Sequence, residues 1–100
     1  MGAVEITIYY WLSEPFAGGS ETRYTLREPF EDGETLRDFL NRLSAKLPPF
    51  GNVIFDSKNQ RFYPQVNFIF RDKAGDPEKD LGRRLCDRDK IVFLPVYAGG

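Results

Sequence analysis

The chain has 100 residues, 41% hydrophobic and 15% aromatic, which suits one compact domain that can bury a core without covalent staples. Its 14 Lys and Arg against 15 Asp and Glu leave a formal charge of −1, so bulk charge supplies neither the basic footprint of a nucleic-acid binder nor a polyacidic tail. A single cysteine, Cys86, and no histidine rule out an internal disulfide framework and leave too few soft ligands for zinc, so no bound metal and a reducing cytoplasm are expected.

Residues 1–12 lack the positive flank, cleavage site and apolar length of a signal peptide or membrane span, so no membrane partner is expected. Residues 4–11 alternate at period two, with Val4, Ile6, Ile8 and Tyr10 on one face, and predict a first strand. Residues 12–22 carry Pro15, Gly18, Gly19 and Ser20 and read as a loop into a second alternating strand at 23–27, the two making an antiparallel hairpin. Asp32-Gly33-Glu34 breaks the pattern. Leu36, Phe39, Leu40, Leu43 and Leu47 then recur at helical spacing, with Thr35 placed to cap the first turn and Asp38 against the positive end of the dipole. Pro48-Pro49 ends this helix, since neither residue donates a backbone hydrogen bond.

Between 50 and 65, the pieces 53–55 and 61–63 flank a polar turn and suggest a small secondary hairpin. Residues 66–70 read as a strand, 71–80 as a loop, and 91–96 as a last strand, apolar on both faces and therefore central or partner-covered. With only one helix, that helix must cross one face of a mixed sheet, and the last strand can pair parallel with the first. The expected fold is α+β, a ubiquitin-like β-grasp roll over residues 1–100 with a flexible tail at 97–100. No helix remains to cover its second sheet face.

Catalytic signatures are absent from the fold itself. Without histidine there is no ordinary nucleophile triad, and Ser13, Ser20, Ser44 and Ser57 occupy no nucleophile elbow. Gly18-Gly19 opens no phosphate loop. Cys86 lies among arginines that can lower a thiol pKa, but a lone cysteine beside Leu85 reads more simply as a small buried packing residue. Asp72, Asp76, Glu78 and Asp80 miss the spacing of a calcium loop. Arg83, Arg84, Arg88 and Lys90 form a basic strip that Asp80, Asp87 and Asp89 interrupt, so a solvated face is expected there, with salt bridges to an acidic partner as the alternative.

The tail stands apart. Gly99 and Gly100 follow directly on the last strand and add almost no cross-section, so an α-carboxylate at their end can be threaded into another protein's active site. The plain alternative is a frayed terminus, as at most domain ends.

Residues 4–10, the helix opening Glu34-Thr35-Leu36-Arg37-Asp38-Phe39-Leu40 and above all the run from Asp89 through Leu94-Pro95-Val96-Tyr97-Ala98-Gly99-Gly100 resemble the ubiquitin-like sulfur carriers of the MoaD/ThiS family, which includes the small subunit of molybdopterin synthase. The middle of the chain, with Phe55-Asp56, Arg61-Phe62 and Val66-Asn67, is similar to longer members, the CysO-like and archaeal modifier-like proteins. Arg88-Asp89-Lys90 departs from the Gly-Asp-Glu turn of many members, and Phe70-Arg71-Asp72 from their Asn-containing turn. The resemblance implies a carrier rather than an enzyme. In it, an adenylating enzyme of the MoeB/ThiF kind uses ATP and magnesium, neither bound by this chain, to activate Gly100; a sulfur donor enzyme then converts Gly100 to a thiocarboxylate, and an acceptor synthase subunit receives the sulfur, molybdopterin formation being the favoured destination. Ala98 and Gly99 would be the threading arm. Leu94 matches a position where members present an apolar side chain to partners, and Tyr9 and Trp11 on the first strand would extend that patch unless residues 50–65 cover it. Conjugation to lysines, and a purely noncovalent interaction module, are the rival readings.

Overall fold

The computed structural model of the chain describes residues 2–17 and 23–96. β1 (Gly2–Tyr9) pairs antiparallel with β2 (Arg23–Phe30), Gly2 opposite Phe30 and Tyr9 opposite Arg23, so the expected hairpin is in register along both strands. Alternation works as expected on β1: Val4, Ile6 and Ile8 are fully buried, while Ala3, Glu5 and Tyr9 point to the other face and are half-buried.

The first strand ends sooner than the alternation suggests. Tyr10 takes φ 58°, a left-handed conformation that breaks the pleat, and Tyr10–Ser13 forms a 3-10 turn running into α1 (Glu14–Ala17). Tyr10 and Trp11 are therefore not strand residues, and the expected loop is helical as far as Ala17. The reason is packing: Leu12 is buried in the core, and Phe16 stacks on Tyr24 with ring centroids 5.4 Å apart. The Gly18-Gly19 tip falls at 18–22, outside the described residues.

α2 (Leu36–Lys46) is the expected amphipathic helix, and the Thr35 hydroxyl caps it by accepting from the Asp38 N–H at 3.2 Å. Leu36, Phe39, Leu40 and Leu43 are fully buried against Val4, Ile6, Ile8, Ile91 and Phe93. Pro48-Pro49 does end α2, but the same residues begin a second helix, α3 (Pro48–Val53), because proline's fixed φ and missing N–H suit a first turn as well as they spoil a later one. The small hairpin follows as β3 (Phe55–Asp56) and β4 (Arg61–Phe62). Its aromatic residues join α3 and the sheet: Phe50 meets Phe93 edge-on at 5.5 Å, Phe55 meets Phe62 at 5.1 Å, and Phe62 stacks on Phe68 at 4.5 Å.

β5 (Val66–Phe70), β6 (Lys73–Ala74) and β7 (Lys90–Pro95) complete a sheet of order β2-β1-β7-β5-β6. β7 is central, parallel to β1 with Ile6 opposite Ile91 and Ile8 opposite Phe93, and antiparallel to β5. The stretch expected as a loop at 71–80 instead holds β6 and α4 (Pro77–Asp80), whose first turn is capped by the Asp76 carboxylate accepting from the Glu78 N–H. β5 and β6 are joined by a two-residue turn with φ 52° at Arg71 and φ 64° at Asp72, the conformation of a type I′ hairpin. Elements of two and four residues leave no period to read in a sequence.

Candidate functional site

Among the described residues, α2, α3 and the small hairpin cover one face of the sheet and no element covers the other. On the other, cross-strand register sets Thr25, Thr7, Val92 and Ile69 side by side across β2, β1, β7 and β5. Towards the end of β7, Tyr9 lies opposite Arg23 and Leu94 opposite Asn67. The two faces of β7 divide cleanly: Ile91, Phe93 and Pro95 are buried on the helix side, and Val92 and Leu94 are half-buried on the open side. Tyr9 and Leu94 thus share the uncovered face. Residues 50–65 do not shield them, because Phe50 and Phe62 pack around Phe93 on the opposite side. Trp11, placed on this strand by sequence, lies instead in the turn after it.

Since β7 runs parallel to β1, the chain leaves the sheet at the end where β1 gives way to the 3-10 turn. Val96 donates its N–H to the Gln65 carbonyl at 2.8 Å and is 42% exposed, with Tyr10 48% exposed at the same end of the sheet. Ala98, Gly99 and Gly100 fall outside the described residues.

At the other end of β7 the turn is anchored by Asp89, which is only 8% exposed. Its carboxylate accepts from Arg71 Nε at 2.9 Å and Nη2 at 3.0 Å, and from the Cys86 N–H at 2.8 Å. These hydrogen bonds raise the Arg71 pKa above the ordinary guanidinium value, as those to Glu34 do for Arg42. Hydrogen bonds from Asn59, by contrast, hold the Asp56 carboxyl below its usual range at the tip of the small hairpin. Cys86 is exposed rather than a packing residue: Leu85 takes the buried place, and the thiol lies 3.6 Å from Arg71 Nη2.

Of the acidic residues that interrupt the basic strip in sequence, one pairs with a member of the strip and two are held by groups outside it. Asp80 pairs with Arg83 at 2.9 Å, Asp87 accepts from the Ala3 N–H at 3.1 Å, and Asp89 is taken by Arg71. Asp76 is the cap of α4, and among the described residues no group of three or more His, Cys, Asp or Glu could hold a metal ion. Arg88 and Lys90, left over from the strip, meet Arg27 across the sheet, where Glu5 lies opposite both Arg27 and Lys90. These residues and Ala3 line a hollow of about 370 Å³ on the open face. Nothing in the sequence joined Arg27 to Lys90; only the pairing of β2, β1 and β7 does.

No protein-family model and no curated protein sequence matches the chain. Solved structures match it in fold. SAMP1 from Haloferax volcanii, a small archaeal modifier protein, aligns at TM-score 0.69 and 24% identity over 99% of this chain and 100% of its own. CysO from Mycobacterium tuberculosis aligns at 0.59 and 19% over 92% and 99%. A putative molybdopterin converting factor, subunit 1, from Pyrococcus furiosus aligns at 0.56 and 16% over 92% and 97%. The chain has the ubiquitin-like β-grasp fold that these proteins share, as its sequence pattern predicts.

Proposed function

We propose that this chain is a sulfur carrier working through the carboxylate of Gly100. The observation that supports this reading most is the root of the tail: a central strand, β7, ends at Pro95 beside the open face that bears Tyr9 and Leu94, and two residues, Val96 and Tyr97, separate it from Ala98-Gly99-Gly100 in the sequence. A partner can grip the face while the two glycines, with no side chains, enter its narrow nucleotide site.

In the proposed cycle, an adenylating enzyme of the MoeB/ThiF kind supplies MgATP. The Gly100 carboxylate attacks the α-phosphorus, pyrophosphate leaves, and an acyl adenylate forms. Hydrosulfide released by a donor enzyme then attacks the acyl carbon, AMP leaves with the bonding electron pair, and loss of the proton gives a thiocarboxylate, a stronger nucleophile than a carboxylate, for transfer inside an acceptor synthase subunit. Molybdopterin formation is the destination we favour, and the fold shared with a putative molybdopterin converting factor subunit supports it. The exposed, unbridged Cys86 suits a reducing cytoplasm.

Incubation with an adenylating enzyme, MgATP and a sulfur donor should raise the intact mass by the difference between sulfur and oxygen, localised by fragmentation to Gly100. Deleting Gly99 and Gly100 should abolish the shift and leave the melting temperature unchanged. A wild-type chain that forms neither adenylate nor thiocarboxylate overturns the carrier reading. The fold shared with a small archaeal modifier protein supports a second reading, in which Gly100 is joined to lysine amines. Lysine-linked ladders of a tagged chain in cells, lost on deleting the two glycines, would establish it.

A further inference from the structure

We propose that Arg27, Lys90 and Arg88 form an electrostatic docking site for an acidic segment of a partner protein, next to the apolar strip of the open face. Three observations carry this. All three residues are exposed, and among the described residues their side chains enter no ion pair. The chain as a whole is at −1, yet here three cations surround one carboxylate, that of Glu5, so the positive charge is a local concentration rather than a property of the bulk. Of the neighbouring carboxylates, Asp89 is paired with Arg71, while Asp87, which accepts from the Ala3 amide, and Asp72, which shares a second hollow with Arg88 and Lys90, keep their charge but lie outside the lining of this one.

The geometry selects the occupant. Arg27 and Lys90 stand two strands apart with Glu5 between, so their backbones are separated by about 10 Å. An extended acidic segment places alternate carboxylates about 7 Å apart on one side, within reach of two long flexible cations. The next row on this face, one step along the strands, sets Val92 and Ile69 beside Thr7 and offers an apolar seat to side chains flanking the acidic ones. Glu5 repels a single misplaced carboxylate and favours a partner whose charges straddle it. Charges at the rim of an apolar contact mainly speed encounter and set orientation. Here they would bring a partner onto the face from which the tail departs. The inference goes beyond the carrier reading and holds equally for a modifier.

The test uses the full chain, labelled with nitrogen-15 and titrated at low salt with an oligoglutamate peptide or its oligoglutamine counterpart. Oligoglutamate should shift the amide signals of Glu5, Arg27, Arg88 and Lys90, the shifts should vanish at high salt, and oligoglutamine should cause none. The pair R27E/K90E should weaken binding by roughly tenfold or more. The pair K58E/K79E, exposed cations elsewhere, should leave it unchanged. Arg88→Gly removes one charge at a backbone position, φ 70°, that glycine adopts without strain, and should weaken binding severalfold even if the double charge reversal fails to fold. Equal response to oligoglutamine, or equal loss from K58E/K79E, overturns the proposal. No adenylating enzyme is present, so neither result bears on Gly100 chemistry, and a failed mass shift does not bear on this surface.

Discussion

Asp89 ties three separate pieces of backbone with one carboxylate: the Arg71 side chain from the β5–β6 turn, the Cys86 amide, and its own entry into β7. Replacing it with alanine strands a guanidinium that is 35% exposed and a backbone N–H, so Asp89→Ala should lower stability by about 2 kcal/mol, read as a drop in the urea midpoint at unchanged slope. The neighbouring turn carries strain of the opposite kind. Arg71 and Asp72 both occupy left-handed backbone where type I′ hairpins favour Asn-Gly. Asp72 is exposed, so Asp72→Gly should raise stability by about 0.5 kcal/mol, the relief of a left-handed side chain exceeding the added freedom of the unfolded chain. A fall in midpoint would show that the Asp72 side chain contributes more than its backbone costs.

At the scale of elements, β2 and α2 are fastened by charge as well as by the core. Glu28 points inward from β2 and is 4% exposed, and its carboxylate accepts from Lys46 Nζ at 2.7 Å and Arg42 Nη1 at 3.4 Å. Arg42 also donates to Glu34 and to the Pro29 carbonyl, at 2.8 Å each, and lies over the Phe39 ring at 5.3 Å. The apolar face of α2 nevertheless carries most of the energy. Phe39 is fully buried, and Phe39→Ala should cost about 3–5 kcal/mol in chemical denaturation, by lost transfer energy and an unfilled cavity. A melt unchanged by this substitution would contradict the packing of α2 on the sheet.

At the scale of the whole molecule, the sheet is asymmetric, and the proposed partner contact rests on that asymmetry. Among the described residues, the helices and aromatic clusters that cover β7 do so from the Phe93 side, and Leu94 is half-buried on the other. Leu94→Asp should therefore keep the melting temperature within a few degrees of wild type, while binding to an adenylating enzyme, the partner proposed above, falls by more than about tenfold in calorimetry. Unfolding of the variant would place Leu94 in the core instead, and intact binding would move the contact elsewhere on the face.

Long periodic segments were legible in the sequence: β1, β2, α2 with its Thr35 cap, β5 and the doubly apolar β7, because alternation at two and recurrence at helical spacing are local properties of burial. From them followed the mixed sheet, the parallel pairing of β1 with β7 and the uncovered face bearing Leu94. Tertiary structure alone decided the rest. Tyr10 left the strand because Leu12 is drawn into the core, and α3, β6 and α4 are too short to show a period. Cys86 emerged exposed because Leu85 fills the one buried place beside it. Arg27, Glu5 and Lys90 met only through strand register. Burial is written residue by residue along the chain, whereas the meeting of side chains from three strands exists only once the sheet has closed.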